Sequence, residues 1–134
     1  MPINSRAKGK SAEREVINLL QPLLPYLKLE RNLDQTRDGG HDIKGMGRWA
    51  AEVKRYAEVA PADFKRFWQQ TLDQAKAIHK WPVLFVREDR RDWVVYVRLQ
   101  DICDGRIDDN DDWCVVGLSI DGFVKVFKLT DFEV

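Results

Sequence analysis

The chain has 134 residues, with 22 Lys/Arg balanced by 22 Asp/Glu, a size and charge that fit one soluble domain. No apolar run approaches the roughly 20 residues of a membrane helix. No apolar segment follows the polar, basic N-terminus, so no signal peptide is expected. Cys103 and Cys114 lack a zinc spacing and a partner pair, so buried thiols in a reducing cytosol are expected. The balance of charge is uneven: residues 1–100 hold 19 Lys/Arg against 13 Asp/Glu, and residues 101–134 hold 3 against 9. A basic body with an acidic tail suits a polyanion on one side of the molecule, although a surplus of this size does not establish nucleic-acid binding.

Residues 1–10, with Arg6, Lys8 and Lys10 among small polar neighbours, read as a flexible basic arm able to track phosphates, or equally as a frayed terminus. Residues 11–134 read as a single domain. Ser11 is placed to cap a helix that runs to about Leu20 or beyond and is closed by Pro22 and Pro25. Val16, Ile17, Leu20, Leu23 and Leu24 form its apolar stripe. Glu13 lies one turn before Val16 and Ile17 and borders that stripe, where a carboxylate is costly unless it is paired or binds metal. The plain alternative is a first-turn residue answering the helix dipole. Glu15 points away and is expected in solvent.

Tyr26 to Leu33 alternates as a strand does. Asp34 to Gly40 is a loop by composition, and its Gln35, Thr36 and Arg37 either contact phosphates or form a solvated turn. Asp42-Ile43 then reads as the end of a short strand and Trp49 to Lys54 as a second, with Gly45 and Gly47 turning between them. His41 faces away from Asp42. Side chains alternate along a strand, so Glu52 and Lys54 share a face while Val53 takes the other. A hairpin brings Asp42 to the same end. Two hard oxygen ligands and an ammonium group then converge, as Mg²⁺ or Mn²⁺ chemistry on a phosphodiester requires. An isolated Glu-x-Lys is more often a surface ion pair worth ~0–1 kcal/mol; Asp42 after a Gly-Gly turn, with Glu13 upstream, shifts the reading to a site.

Pro61 opens a helix expected to reach about His79. Its Phe64, Phe67, Trp68, Thr71, Ala75 and Ile78 recur at helical spacing and read as core. Gln70 and Gln74 flank that stripe, reaching either the site, a nucleic-acid backbone or solvent. Val83–Arg87 and Trp93–Val97 form a hairpin whose turn holds Arg90 and Arg91. Leu99–Cys103 is expected as a short helix, and Asp108–Asp112 as a solvated acidic loop without the order of a calcium loop. Trp113–Leu118 and Phe123–Leu129 are expected as a last pair of strands around Asp121-Gly122.

This order resembles the PD-(D/E)XK nuclease superfamily, within it the archaeal-type and phage Holliday-junction resolvases. The likeness is carried by RAKGKSAERE at 6–15, GGHD at 39–42, AEVK at 51–54 and Gln74-Ala75, and covers about residues 5–98. It implies an α/β fold with a restriction-endonuclease-like αβββαβ core, a mixed central sheet flanked by helices, here with a C-terminal β extension. It implies Asp42 and Glu52 as metal-binding carboxylates, with the Val53 carbonyl and Glu13 assisting, and Lys54 as the catalytic lysine. Many members have Pro where this chain has His41. DNA contacts are expected from Arg6, Lys8, Lys10, Arg37, Arg55 and Gln74. The implied activity is a Mg²⁺-dependent endodeoxyribonuclease (Mn²⁺ substituting) acting on four-way or other branched DNA as a homodimer, in the cytoplasm of a prokaryotic or phage-infected cell. A restriction- or repair-type nuclease is the first alternative. A non-cutting DNA-binding module is the second, which the intact Glu13, Asp42, Glu52 and Lys54 speak against.

Overall fold

The computed structural model describes residues 5–33, 41–103 and 111–130, of which residues 5–8 as backbone only. Six strands form one sheet in chain order: β1 (Glu30–Arg31), β2 (Ile43–Lys44), β3 (Trp49–Tyr56), β4 (Trp81–Glu88), β5 (Val94–Arg98) and β6 (Val115–Leu118). All neighbours are antiparallel except β3 and β4, which run parallel with Glu52 beside Leu84 and Lys54 beside Val86. The parallel pair requires a crossover, and α2 (Pro61–Ala77) supplies it. Among the described residues, helix α1 (Ser5–Leu20), the one-turn α3 (Leu99–Ile102) and α4 (Ile120–Thr130) join them in the mixed, helix-flanked α/β arrangement expected.

The sheet separates two apolar clusters. Ala12, Val16 and Leu20 of α1 and Phe123 and Phe127 of α4 pack with Ala51, Val53, Phe85 and Val95 on one face. Phe67, Trp68 and Leu72 of α2 pack with Leu84 and Val86 on the other. Strand β3 is therefore covered on both faces, and Trp49 to Val53 is buried without a break. Trp49 anchors the larger cluster, edge-on to Trp81 at 5.3 Å and to Phe123 at 5.4 Å between ring centres.

Several boundaries differ from the sequence reading. Helix α1 starts at Ser5 rather than after Ser11, so the backbone of residues 5–10 is helical. Leu23 is exposed rather than in the stripe. Its helix has ended by then, and the Gln21 side chain ties the following turns together by donating to the Leu24 and Leu27 carbonyls and accepting from the Leu29 N–H. Helix α2 stops before His79, which sits at a left-handed φ of 56°. The His79 N–H donates to Lys76 O and the Lys80 N–H to Ala75 O, the two bonds of a Schellman closure made without its usual glycine. Cys114 is exposed and Cys103 half-buried, and both are free thiols.

The expected C-terminal strand over Phe123–Leu129 is a helix instead. Ser119 caps it: its Oγ accepts the Gly122 N–H at 3.0 Å. Phe123, Val124 and Phe127 then fall on one buried face. The C-terminal extension is accordingly β6 followed by α4 rather than purely β.

Candidate active site

Asp42 stands immediately before β2, and β2 is held close to β3 by a turn that only glycine permits. Gly45 has φ 94°, and a Cβ there would lie 2.1 Å from the Lys28 carbonyl oxygen. The Asp42 main chain donates to Ala51 O at 2.7 Å, and its carbonyl accepts the Asn32 N–H at 2.9 Å. Its side chain ends the ladder in place of a strand residue: Oδ2 accepts the Val53 N–H at 2.7 Å. Both main-chain groups of a strand residue point to the same neighbour, so the Val53 carbonyl lies on the Asp42 edge of β3.

Glu52 and Lys54 take the α2 face of β3. The Lys54 ammonium lies 3.3 Å from Glu52 Oε1. Asp42 is 7% and Glu52 4% exposed, and their carboxyl groups are hydrogen-bonded to each other. Burial pushes Asp42 up to about 6, a rise opposed by the Val53 N–H and Lys54 and reinforced by the charge of Glu13. Burial first, and the Asp42 charge second, push Glu52 up to about 8 against the pull of Lys54. Two carboxyls in contact in a dry pocket retain a proton that either alone would release.

Glu13 comes from α1 toward this pair, but its Oε2 accepts from Arg31 Nε of β1 at 2.9 Å. Among the described residues no three acidic, His or Cys side chains converge as a ready-made metal cage. The donor set is two carboxylates and a carbonyl edge, with Glu13 nearby on Arg31. Hard oxygens of this kind fit Mg²⁺ or Mn²⁺, which keep several waters rather than demanding an all-protein shell.

Glu15 is not in solvent. Its Oε1 accepts from Arg87 Nη1 and from Trp93 Nε1 (2.9 Å), and Arg55 Nη1 lies 3.5 Å from its Oε2. Arg55, expected as a DNA contact, is thus one arm of an ion cluster beneath α1. Lys10 is exposed on α1 and Gln74 is half-buried on α2. The side chains of Arg6 and Lys8, and the whole of Gln35, Thr36 and Arg37, lie outside the described residues. Arg31 escaped the sequence reading as a site residue. Only the crossing of α1 over β1 sets it opposite Glu13. The surface concavity of about 490 Å³ beside Glu15, Leu19, Leu23, Arg87 and Trp93 does not include Asp42 or Glu52.

The raised carboxyls make metal-free stability depend on pH. Both are protonated in folded and unfolded chains in strong acid. Between the unfolded values, 3.8 and 4.5, and the folded ones, about 6 and about 8, the folded state holds protons that the unfolded chain has lost. Stability contributed in acid is therefore lost as pH rises from about 4 to 8. Glu52→Gln removes the repulsion, and thermal melts in EDTA at pH 8 should place its Tm roughly 4 °C or more above that of the unaltered protein. The difference should vanish near pH 4; equal melting at both pH values would count against a shared buried proton.

A sequence profile described as "Phage putative PDDEXK endonuclease" matches residues 4–128. None of the curated proteins matches. Among solved structures, the chain is similar to the 1.6 Å structure of Archaeoglobus fulgidus Hjc, a Holliday junction resolvase from an archaeal hyperthermophile. The two share 20% sequence identity with a TM-score of 0.51, over 88% of this chain and 96% of that one. At that distance the shared property is the fold. No helix among the described residues is long and apolar enough to cross a membrane.

Proposed function

Because the chain belongs to the phage PDDEXK endonuclease family, we propose that it is a divalent-metal-dependent endodeoxyribonuclease that hydrolyses phosphodiester bonds in branched DNA. Nuclease chemistry follows from the family. The observation that supports this site for it is the buried, mutually bonded Asp42 and Glu52 with the Lys54 ammonium 3.3 Å from Glu52. Asp42, Glu52 and the Val53 carbonyl would hold Mg²⁺ or Mn²⁺, with Glu13 assisting. When bound, such an ion polarises a phosphate oxygen and lowers the pKa of coordinated water.

The chain's own groups have separate tasks. The Val53 N–H fixes Asp42 Oδ2, so the carboxylate would be presented to a cation in a set orientation. Glu52 would give up its retained proton on binding a cation, so affinity would rise with pH up to about 8. Lys54, steadied by Glu52, offsets negative charge growing on the phosphate. Arg31 holds Glu13 in reserve beside the pair. Lys10, exposed on α1, suits the DNA backbone, with Gln74 on α2. The likeness to Hjc, a Holliday junction resolvase, favours a four-way junction as substrate; two copies working as a homodimer in the cytoplasm complete the reading.

The deciding experiment incubates the protein with a four-way junction and a matched linear duplex, in Mg²⁺ or EDTA, alongside a solution mass. Symmetric nicks in the junction, no cuts in EDTA and a dimeric mass are expected. Preferential cutting of the linear duplex would reassign the substrate to a restriction- or repair-type DNA, and cutting in EDTA would remove the metal.

A further inference from the structure

The downstream end of β3 carries an aromatic pair that the chemistry above does not use. Tyr56 stacks on Phe67 of α2 with ring centres 4.9 Å apart and planes 24° from parallel. The two rings differ in burial: Phe67 is 2% exposed and Tyr56 40%. Phe67 is therefore a backing plate within the core, and Tyr56 is the plate that solvent meets.

Cations border the stack. Lys54 Nζ lies 5.2 Å and Arg66 Cζ 5.1 Å from the Phe67 ring centre. Arg66 also pairs with Asp63 at 3.3 Å, yet its side chain remains 65% exposed. Tyr56 is two residues beyond Lys54 on the same strand face, a step of about 7 Å. A flat, half-exposed ring, supported from behind and flanked by positive charge, thus lies one strand repeat from the lysine of the site. These are the elements with which proteins hold unpaired nucleic acid: an aromatic face for the base and cations for the backbone.

We propose that Tyr56, backed by Phe67, is a stacking site for an unpaired nucleobase adjacent to the scissile phosphate. The proposal rests on the Asp42–Glu52–Lys54 reading of the site and deepens it. Bases within a continuous duplex are stacked on their own neighbours and are withheld from the shelf. A base at a branch point is released at lower cost, as mismatched or single-stranded bases are. The shelf therefore selects DNA by structure rather than sequence, since every base presents a π-face.

The test uses four-way junctions with 2-aminopurine placed in turn at each position flanking the crossover, mixed with the full chain in EDTA so that no strand is cut. The unaltered protein and Tyr56→Phe should quench the fluorescence at one position by stacking. Tyr56→Ser should abolish that quench and bind the junction about 5- to 150-fold more weakly, the equivalent of one lost stacked base, while its affinity for linear duplex stays the same. Undiminished quenching by Tyr56→Ser, an equal loss of affinity for both DNAs, or no responsive position with the unaltered protein would each overturn the shelf. Failure of the site reading is separately visible: it shows as continued cutting by Asp42→Asn in Mg²⁺, a variant whose fluorescence response the shelf predicts to be unchanged.

Discussion

Asp42→Asn is expected to lower DNA cleavage by about 10³-fold while leaving the chain folded. Asparagine keeps an oxygen that can accept the Val53 N–H, the bond that positions Asp42. The main-chain links to Ala51 and Asn32 do not depend on the side chain. What disappears is one of the two negative charges that the proposed site would offer a cation, and transition-state charge stabilisation of this kind is worth about 10²- to 10³-fold or more in rate. The variant should melt no lower than the unaltered protein in EDTA, because a like-charged neighbour of Glu52 has gone. Gel assays of junction cleavage in Mg²⁺, paired with circular-dichroism melts, check both halves. Undiminished cutting by the purified variant would remove Asp42 from the mechanism.

Glu15→Gln should act in the opposite way, on stability more than on chemistry. Glu15 is the carboxylate between two guanidinium groups, Arg55 and Arg87, which sit side by side in register on the parallel strands. Trp93 donates to the same oxygen as Arg87. Glutamine retains an acceptor but removes the charge, so the two arginines face each other uncompensated. A hydrogen bond to a charged group contributes about 1.5–3 kcal/mol when sheltered, and an exposed pair ~0–1. The Glu15 side chain is 28% exposed, so a loss of about 1–2 kcal/mol is expected, lowering Tm by roughly 4–8 °C. Cleavage per folded molecule should fall less than it does in Glu13→Gln. Urea and thermal melts at two salt concentrations check this. A Glu15→Gln chain that melts within a degree of the unaltered protein would return this carboxylate to solvent.

The parts of the molecule that were legible in the sequence are those where one local rule operates. Glycines at 45 and 47, alternation at 52 and 54, and Pro61 ahead of an aromatic stripe each determine their own segment. The approach of Asp42, Glu52 and Lys54 followed from these rules together. Glu15 was misread because helical phase says which side of α1 a residue occupies but not that Arg87 and Trp93, more than 70 positions later, arrive there. Phe123 to Leu129 was misread because its apolar residues satisfy both a strand and a helix period. The Ser119 cap decides between them, and a single serine is a weak signal until the Gly122 N–H is seen to bond to it. Arg31 was not legible as a partner of Glu13, since their meeting depends on how α1 crosses the sheet.

The strands that deliver Asp42 are very short. β1 and β2 contribute two residues each, and Ile43 opposite Ala51 is the paired position between β2 and β3. Beyond them, β3 and β4 are paired over eight residues. Such an edge can open while the rest of the sheet stays closed, because local openings in proteins need far less free energy than global unfolding. With Asp42 in the role proposed for it, a chain in which β1 and β2 had swung away from β3 would be inactive though melted nowhere else. A cation held by Asp42 and Glu52 would act as a clasp on that margin, so its binding would also assemble the geometry it needs.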